Sequence, residues 1–357
     1  MEIGIAGAGA IAMGYAALLL KAGHSVQVWS PSGGRTASLL SGIPLIVSGA
    51  LEGVFRPNVC TIPSALTDCD VIVLALPAYG HRRVLDIIAP HIKPSNIVII
   101  SGHLSFAALY LAKVLSNRGL QIPIVAWNTT MLTAKARTPN EIKVGAVRSK
   151  VDMATLPARL GEQAHKVCVS LFGDRFVMRD DLLTIALSNL NPQNHLGTAL
   201  CNLTRIERGE VWGQRANVTP AVGRLLEAMD EERLLVAASF GKAVRTILDH
   251  YALSFNVGRT SVVEISQELA RRGSDPLGPT TLETRYVLED VPYGLVPTLY
   301  LARLAGVAIP LHQSGVDILS ACYGRNFSAE NDLLGELDLL NVAVLMDLVS
   351  NGYPVAR

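Results

Sequence analysis

Residues able to do chemistry gather in three stretches of this chain. The first is Gly7-Ala8-Gly9-Ala10-Ile11-Ala12, extended by Ser30, Ser32 and Arg35. Small residues at 7, 9 and 12 give the GxGxxA spacing that a nucleotide pyrophosphate needs. Gly7 permits a sharp strand-to-helix turn, Gly9 lets backbone approach the phosphates, and Ala12 lets helix and strand pack closely. From Ala10 a helix opens, with free N–H groups and a positive dipole end facing the phosphates. A turn built for NAD usually has Asp or Glu about 20 residues further on, on the ribose 2′-hydroxyl. Here Ser30 stands at that place, followed by Ser32 and Arg35. Hydroxyls and a guanidinium suit a 2′-phosphate, which a carboxylate would repel. NADP, as NADPH, is therefore expected ahead of NAD. The competing reading makes residues 30–35 a plain turn with a solvated arginine.

The second stretch is Ser188-Asn189-Leu190-Asn191-Pro192-Gln193-Asn194-His195. Asn, Gln and Pro are unusual inside an otherwise apolar helix, and helical spacing puts Asn191, His195 and Asn202 on one face. That face suits a cleft wall, with Asn191 and Asn194 available for substrate hydrogen bonds. A surface face or a satisfied core histidine is the more common alternative. The third stretch runs from Thr281 to Pro297. The fork of Arg285 could hold a carboxylate, and Asp290 could hydrogen-bond a histidine and fix its tautomer. The alternative is an ordinary helix with solvated charges, and composition leaves the two level. His81 and His103 follow strands in the first half; a helix cap is expected of His81 and a place on the cofactor rim of His103.

The elements that must position these residues follow from hydrophobic patterning. Ile3 to Ala6, the glycine turn, a helix through Tyr15 to Lys21 and a strand at Val26 to Val28 make strand, turn, helix, strand. The uncharged run 3–20 also resembles a signal peptide or membrane anchor. It lacks a basic leader and a cleavage pattern, and glycines interrupt it. Val71–Leu76, Ile97–Ile100 and Ile122–Ala126 read as buried strands. Their carboxyl ends, including the loop at Pro77, are where a doubly wound parallel sheet binds ligands. Pro77 is accordingly assigned to the cofactor site. Short strands at 143–147, 167–171 and 175–178 and a helix near 155–165 complete an α/β domain over residues 1–180. Past 180, long helical periods take over at 182–207, 220–248, 262–271, 283–305 and 333–349. Residues 181–357 are thus expected to form an all-helical substrate and catalytic domain.

Bulk composition excludes several classes. Lys+Arg number 31 against 30 Asp+Glu, so no basic excess drives nucleic-acid or anionic-membrane binding. Five scattered cysteines, none in CxxC spacing, argue against a disulfide framework or a zinc site and fit reduced thiols in a cytoplasmic protein. No metal is expected. The apolar segment 333–349 could bury against a second copy in a homodimer.

Three segments together resemble the octopine/nopaline (opine) dehydrogenase family: GIAGAGAIAMGYAALLLKAGHSVQVWS, LSNLNPQNHLGTALCN, and TRYVLEDVPYGLVP followed by GVAIPLHQSGVDILSACYGRNF. The resemblance runs in order along essentially the whole chain. It implies a Rossmann domain, a helical domain, and reductive condensation of an amino acid amine with a 2-oxo acid at the expense of NADH or NADPH. It places the family's catalytic histidine on His195, its substrate-binding arginine on Arg285 and the partner of the histidine on Asp290. Many members carry an acidic residue where this chain has Ser30, which again points to NADP. Two other readings compete: a ketopantoate-type NADP-dependent 2-oxo acid reductase, whose Lys and Glu signatures are not obvious here, and a non-catalytic NADP-binding sensor.

Overall fold

The structure, a computed structural model, describes residues 1–355. It opens with β1 (Glu2–Ala6), α1 (Ala10–Lys21), β2 (Ser25–Trp29), α2 (Ala37–Leu40), β3 (Leu45–Gly49), β4 (Gly53–Phe55) and β5 (Asn58–Val59). Then come α3 (Ser64–Thr67), β6 (Val71–Leu74), α4 (His81–Ile88), β7 (Ile97–Ile100), α5 (Ala107–Ser116) and β8 (Ile124–Trp127). β9 (Leu132–Thr138), β10 (Glu141–Val147), β11 (Val151–Leu156), α6 (Gly161–Phe172) and β12 (Phe176–Met178) follow. The main sheet has the order β12-β11-β8-β7-β6-β1-β2-β5. Its central strands β6, β7 and β8 are buried at every residue, as expected of parallel strands covered on both faces. The chain moves from β1 outward to β2 and β5, then returns to β6 on the other side of β1. That reversal is the switch point where open α/β sheets bind ligands.

A second sheet, β4-β3-β10-β9, was not expected. Its inner residues Leu45, Val47, Leu132, Ile142 and Val144 join the main core, and Leu132 lies so close to Gly14 of α1 that a Cβ there would sit 2.8 Å from its side chain. Two other expectations fail nearby. Residues 167–171, expected as a strand, lie inside α6, and the helix expected near 155–165 begins only at Gly161, after β11. The β-branched run in VCVSL suggested a strand. Burial of Ala164, Cys168, Leu171 and Phe172 at helical spacing decides for the helix.

The remaining elements are α7 (Leu182–Ser188), α8 (Asn191–Cys201), α9 (Leu203–Glu207), α10 (Pro220–Ser239), α11 (Ile247–Phe255) and α12 (Val262–Arg271). After them come α13 (Arg285–Leu288), a π-helical turn (Val291–Leu295), α14 (Val296–Ala305), α15 (Pro310–Tyr323) and α16 (Val342–Asn351). Three of the five long helical periods are therefore subdivided at polar or proline-bearing breaks, and helix in the last begins only at Val342.

The chain forms two units, Met1–Ala186 together with the chain from Gly335 onward, and Leu187–Leu334. This corrects the expectation of a helical domain over 181–357. The C-terminal segment belongs with the α/β unit because of what it binds there. Glu336 pairs with Arg82 at 2.6 Å, and Lys113 reaches Glu336 O at 2.6 Å and Asp338 at 2.9 Å. Leu345, Leu348 and Val349 of α16 are buried, so these apolar residues are not left for a second copy. Among the described residues no helix is long and apolar enough to cross a membrane.

Candidate active site

In the α/β unit the glycine turn has the shape the spacing requires. Gly7 has φ +132°, and a Cβ there would lie 2.3 Å from the carbonyl oxygen of Ala75, just past β6. No other residue fits. Gly9, the N-cap of α1, has open space instead: the nearest atom to a Cβ would be Nη1 of Arg35, at 3.7 Å. No side chain caps α1 and no acidic residue stands in its first turn, so its leading N–H groups are left for a ligand. Ala12 is fully buried. These residues fit a pyrophosphate at the turn. Ser30 directly follows β2, its hydroxyl 3.5 Å from that of Ser32, and no carboxylate lies between residues 25 and 36. Pro77 is exposed and follows, by two residues, the Ala75 whose carbonyl lies against Gly7. Gly7→Ala would force both a positive-φ strain and a backbone clash. A loss of about 2–5 kcal/mol in urea unfolding is expected; an unchanged unfolding midpoint would deny the turn this geometry.

Sequence reasoning missed how the neighbouring loops are held. The Tyr15 hydroxyl lies 2.6 Å from Ser101 Oγ and accepts from Met131 N at 2.8 Å. It thereby ties the ends of β7 and β8 to α1, and burial pushes the phenol up to about 12, keeping it neutral. His81 and His103 are both fully buried. Burial pushes His81 down to about 4; burial and then the nearby His81 push His103 down to about 3. His81 turns back to Leu76 O at 3.1 Å and caps nothing. His103 accepts from Ala108 N, in the first turn of α5, at 3.4 Å and, being fully buried, does not line an open rim.

In the helical unit His195 and Asp290 come together although 95 residues apart, with Nδ1 2.6 Å from Oδ2. The Asp290 side chain is 1% exposed and the His195 side chain 14%. A carboxylate can only accept, so Nδ1–H donates, and in the neutral imidazole the lone pair then lies on Nε2. Nε2 makes no hydrogen bond among the described residues. That is the arrangement of a general base whose tautomer is fixed by a buried acid.

Both partners are held from behind. On α8, Gln193 donates to Asp230 at 2.8 Å. Asp230 also accepts from Arg233 at 2.7 and 3.0 Å and from Ile247 N at 2.8 Å, so the buried pair is satisfied. Gly197 lets α8 pack closely on Leu226 of α10. His195 is two residues beyond Gln193, about 200° round the helix, and faces away from this anchor. Asp290 lies two residues past α13 and is the N-cap of the π-helical turn. Pro292, which has no N–H, interrupts the regular ladder there. Asn331 donates to Pro292 O at 2.8 Å and the Tyr293 hydroxyl to Glu330 O at 3.2 Å, fixing that turn.

Arg285 begins α13, its side chain 56% exposed and its Nε 3.3 Å from Glu289. Asn191, half-buried, lies one turn before His195 on the same face. Asn194 is half-buried, and its Oδ1 is buried without a partner. Asn202 departs from the expected shared face: it ends α8 with φ −125°, ψ 19° and turns its amide onto Thr198 O at 3.0 Å. Among the described residues no cluster of His, Cys, Asp or Glu could hold a metal ion.

The helical half, residues 178–323, matches the family described as NAD/NADP octopine/nopaline dehydrogenase, alpha-helical domain. Residues 3–103 match the ketopantoate reductase (PanE/ApbA) family, a likeness that stops before the His195–Asp290 pair. An opine dehydrogenase of Arthrobacter sp. (strain 1C) is 30% identical over 331 residues, covering 91% of each chain. Octopine dehydrogenase in complex with NADH and agmatine shares the fold with a TM-score of 0.83 at 14% identity, over 100% of both chains. Yersinopine dehydrogenase with NADP+ bound gives 0.73 at 16% identity, over 94% of this chain and 98% of that one. With kinship of this degree along nearly its full length, the chain belongs to the opine dehydrogenase family.

Proposed function

We propose that the protein condenses the amine of an amino acid with a 2-oxo acid and reduces the product to an N-(1-carboxyalkyl) amino acid, with NADPH preferred. The observation that carries this reading is the buried His195–Asp290 pair with its unshared Nε2. As an opine dehydrogenase the chain is an NAD(P)-dependent oxidoreductase acting on CH–NH bonds, and a ketopantoate-type reduction needs no amine. When bound, the nicotinamide would supply the hydride, and Gly7, Gly9, Ala10, Ala12, Ser30, Ser32, Arg35 and Pro77 would hold the cofactor.

His195 handles the proton. Its Nε2 takes one proton from the substrate ammonium, which frees the amine to attack the 2-oxo carbonyl. The nitrogen of the adduct passes a proton to its alkoxide, giving the carbinolamine, and the proton held on Nε2 then returns to that hydroxyl, which leaves as water and gives the protonated imine. Arg285 holds a substrate carboxylate through its fork, a positioning role. The unpartnered Oδ1 of Asn194 accepts from the amine, and Asn191 contributes a second polar contact. A cytoplasmic location completes the reading, supported by five free thiols.

The decisive experiment follows NADPH oxidation with pyruvate and 2-oxoglutarate, each alone and each paired with a panel of amino acids. Turnover only with both substrates is expected. Reduction of the oxo acid without an amine would favour the ketopantoate-type reading, and NADPH binding without turnover a sensor. For the cofactor preference, Arg35→Ala should raise KM for NADPH about tenfold or more, the worth of a charged hydrogen bond, while KM for NADH barely moves. Equal effects on both would remove the 2′-phosphate role of Arg35.

A further inference from the structure

One contact of His195 lies outside the roles assigned so far. The ring of Tyr286 lies flat on the imidazole, with centroids 3.7 Å apart and an interplanar angle of 7°. Its hydroxyl donates to Gln214 Oε1 at 3.1 Å, and burial pushes the phenol up, so it remains a neutral donor. Tyr286 follows Arg285, and its own N–H is received by the Thr284 side chain at 3.3 Å. The short segment 284–290 therefore brings a flat ring and a buried carboxylate to one histidine.

The far end of the tyrosine is fixed as firmly. Gln214 N donates to Pro276 O at 2.9 Å and Gly278 N to Trp212 O at 3.0 Å. Arg215 N donates to Asp275 at 2.7 Å, and Trp212 Nε1 to Pro279 O at 2.9 Å. The two loops approach so closely that a Cβ on Gly213 would lie 1.8 Å from the Asp275 carboxylate and one on Gly278 2.3 Å from the Trp212 ring. Gln214 thus sits on a rigid clasp, and Tyr286 is a plate bolted to it.

A histidine held only through Nδ1 can still swing about the line of that hydrogen bond. Each swing carries Nε2 off the reacting atom. A flat ring packed at van der Waals distance on one imidazole face removes that freedom. We propose that Tyr286, anchored by Gln214, is a positioning residue that fixes the plane of the His195 imidazole so that Nε2 meets the amine and the carbinolamine hydroxyl. This rests on the acid–base reading of His195 given above. The plate acts on orientation at the chemical step, so its loss falls on kcat and leaves substrate affinity nearly alone.

Three variants test this. Tyr286→Leu removes the plate and should lower kcat about 10- to 100-fold, the scale of an ångström-size misplacement, with KM for both substrates changed less than about threefold. Tyr286→Phe keeps the plate and should recover most of the lost kcat. In proton NMR, the His195 ring protons, assigned by their absence in His195→Asn, should lie upfield from the ring current in the native and Phe proteins and lose that shift in the Leu protein. The proposal is overturned by normal kcat in Tyr286→Leu, by equal kcat losses in Leu and Phe, or by ring protons indifferent to Tyr286. If His195→Asn itself turns over normally, the acid–base reading falls; if it is inactive while Tyr286→Leu is normal, only the positioning role does.

Discussion

His195→Asn lowers kcat by about 10³-fold, within the usual range for a general acid–base, while the dissociation constant for NADPH stays within about threefold. Asparagine is the informative replacement. Its amide nitrogen falls near the position of Nδ1 and still donates to Asp290, so the carboxylate, 1% exposed, keeps a partner. Alanine would leave that carboxylate buried and alone, costing about 3–5 kcal/mol, and would confuse lost chemistry with lost folding. None of the residues assigned to the nucleotide is changed by this substitution, so cofactor affinity is expected to stay nearly as it was. Steady-state kinetics and fluorescence titration with NADPH separate the two quantities. Turnover within a few-fold of the native protein would remove His195 from the chemistry, and a parallel loss of NADPH affinity would mean that the substitution disturbs more than the site.

How much of this was legible beforehand depends on whether the signal was local. The Gly7–Ala12 turn could be read because one backbone conformation demands glycine at 7 and small residues at 9 and 12, all within a single strand–helix joint. Strands at 71–74, 97–100 and 124–127 could be read because burial on both faces leaves continuous apolar runs. The four-stranded second sheet could not. β9 reads Leu-Thr-Ala-Lys-Ala-Arg-Thr, and only one face of such an edge strand is buried, so its pattern is weak until α1 is known to lie against it. The C-terminal return failed for a related reason: the apolar residues of 342–351 say that a face is buried but not against what. His195 and Asp290 were each recognisable as polar residues in unusual surroundings. Spacing alone could not pair them across 95 residues, and family resemblance supplied the link. Tyr286 had no signal at all. An aromatic in a helical segment reads as core, and only the folded chain lays it on an imidazole.

Asp290→Asn tests what the buried acid does, and kcat should fall by about 10²–10⁴-fold even though size and shape barely change. Native Asp290 accepts from Nδ1–H, which keeps the lone pair on Nε2. An asparagine can instead turn its NH2 toward Nδ1 and donate, which stabilises the opposite tautomer and puts the proton on Nε2. The imidazole is then in place, stacked on Tyr286 as before, yet unable to accept a proton from the amine. The losses should also fail to add: with His195→Asn already present, Asp290→Asn should cost little further kcat, because the two residues act as one unit. Nitrogen-15 NMR of the labelled histidine distinguishes this from mere disorder, since it reads which ring nitrogen bears the proton. Retained Nδ1 protonation together with near-native kcat in Asp290→Asn would show that the tautomer needs no carboxylate to hold it.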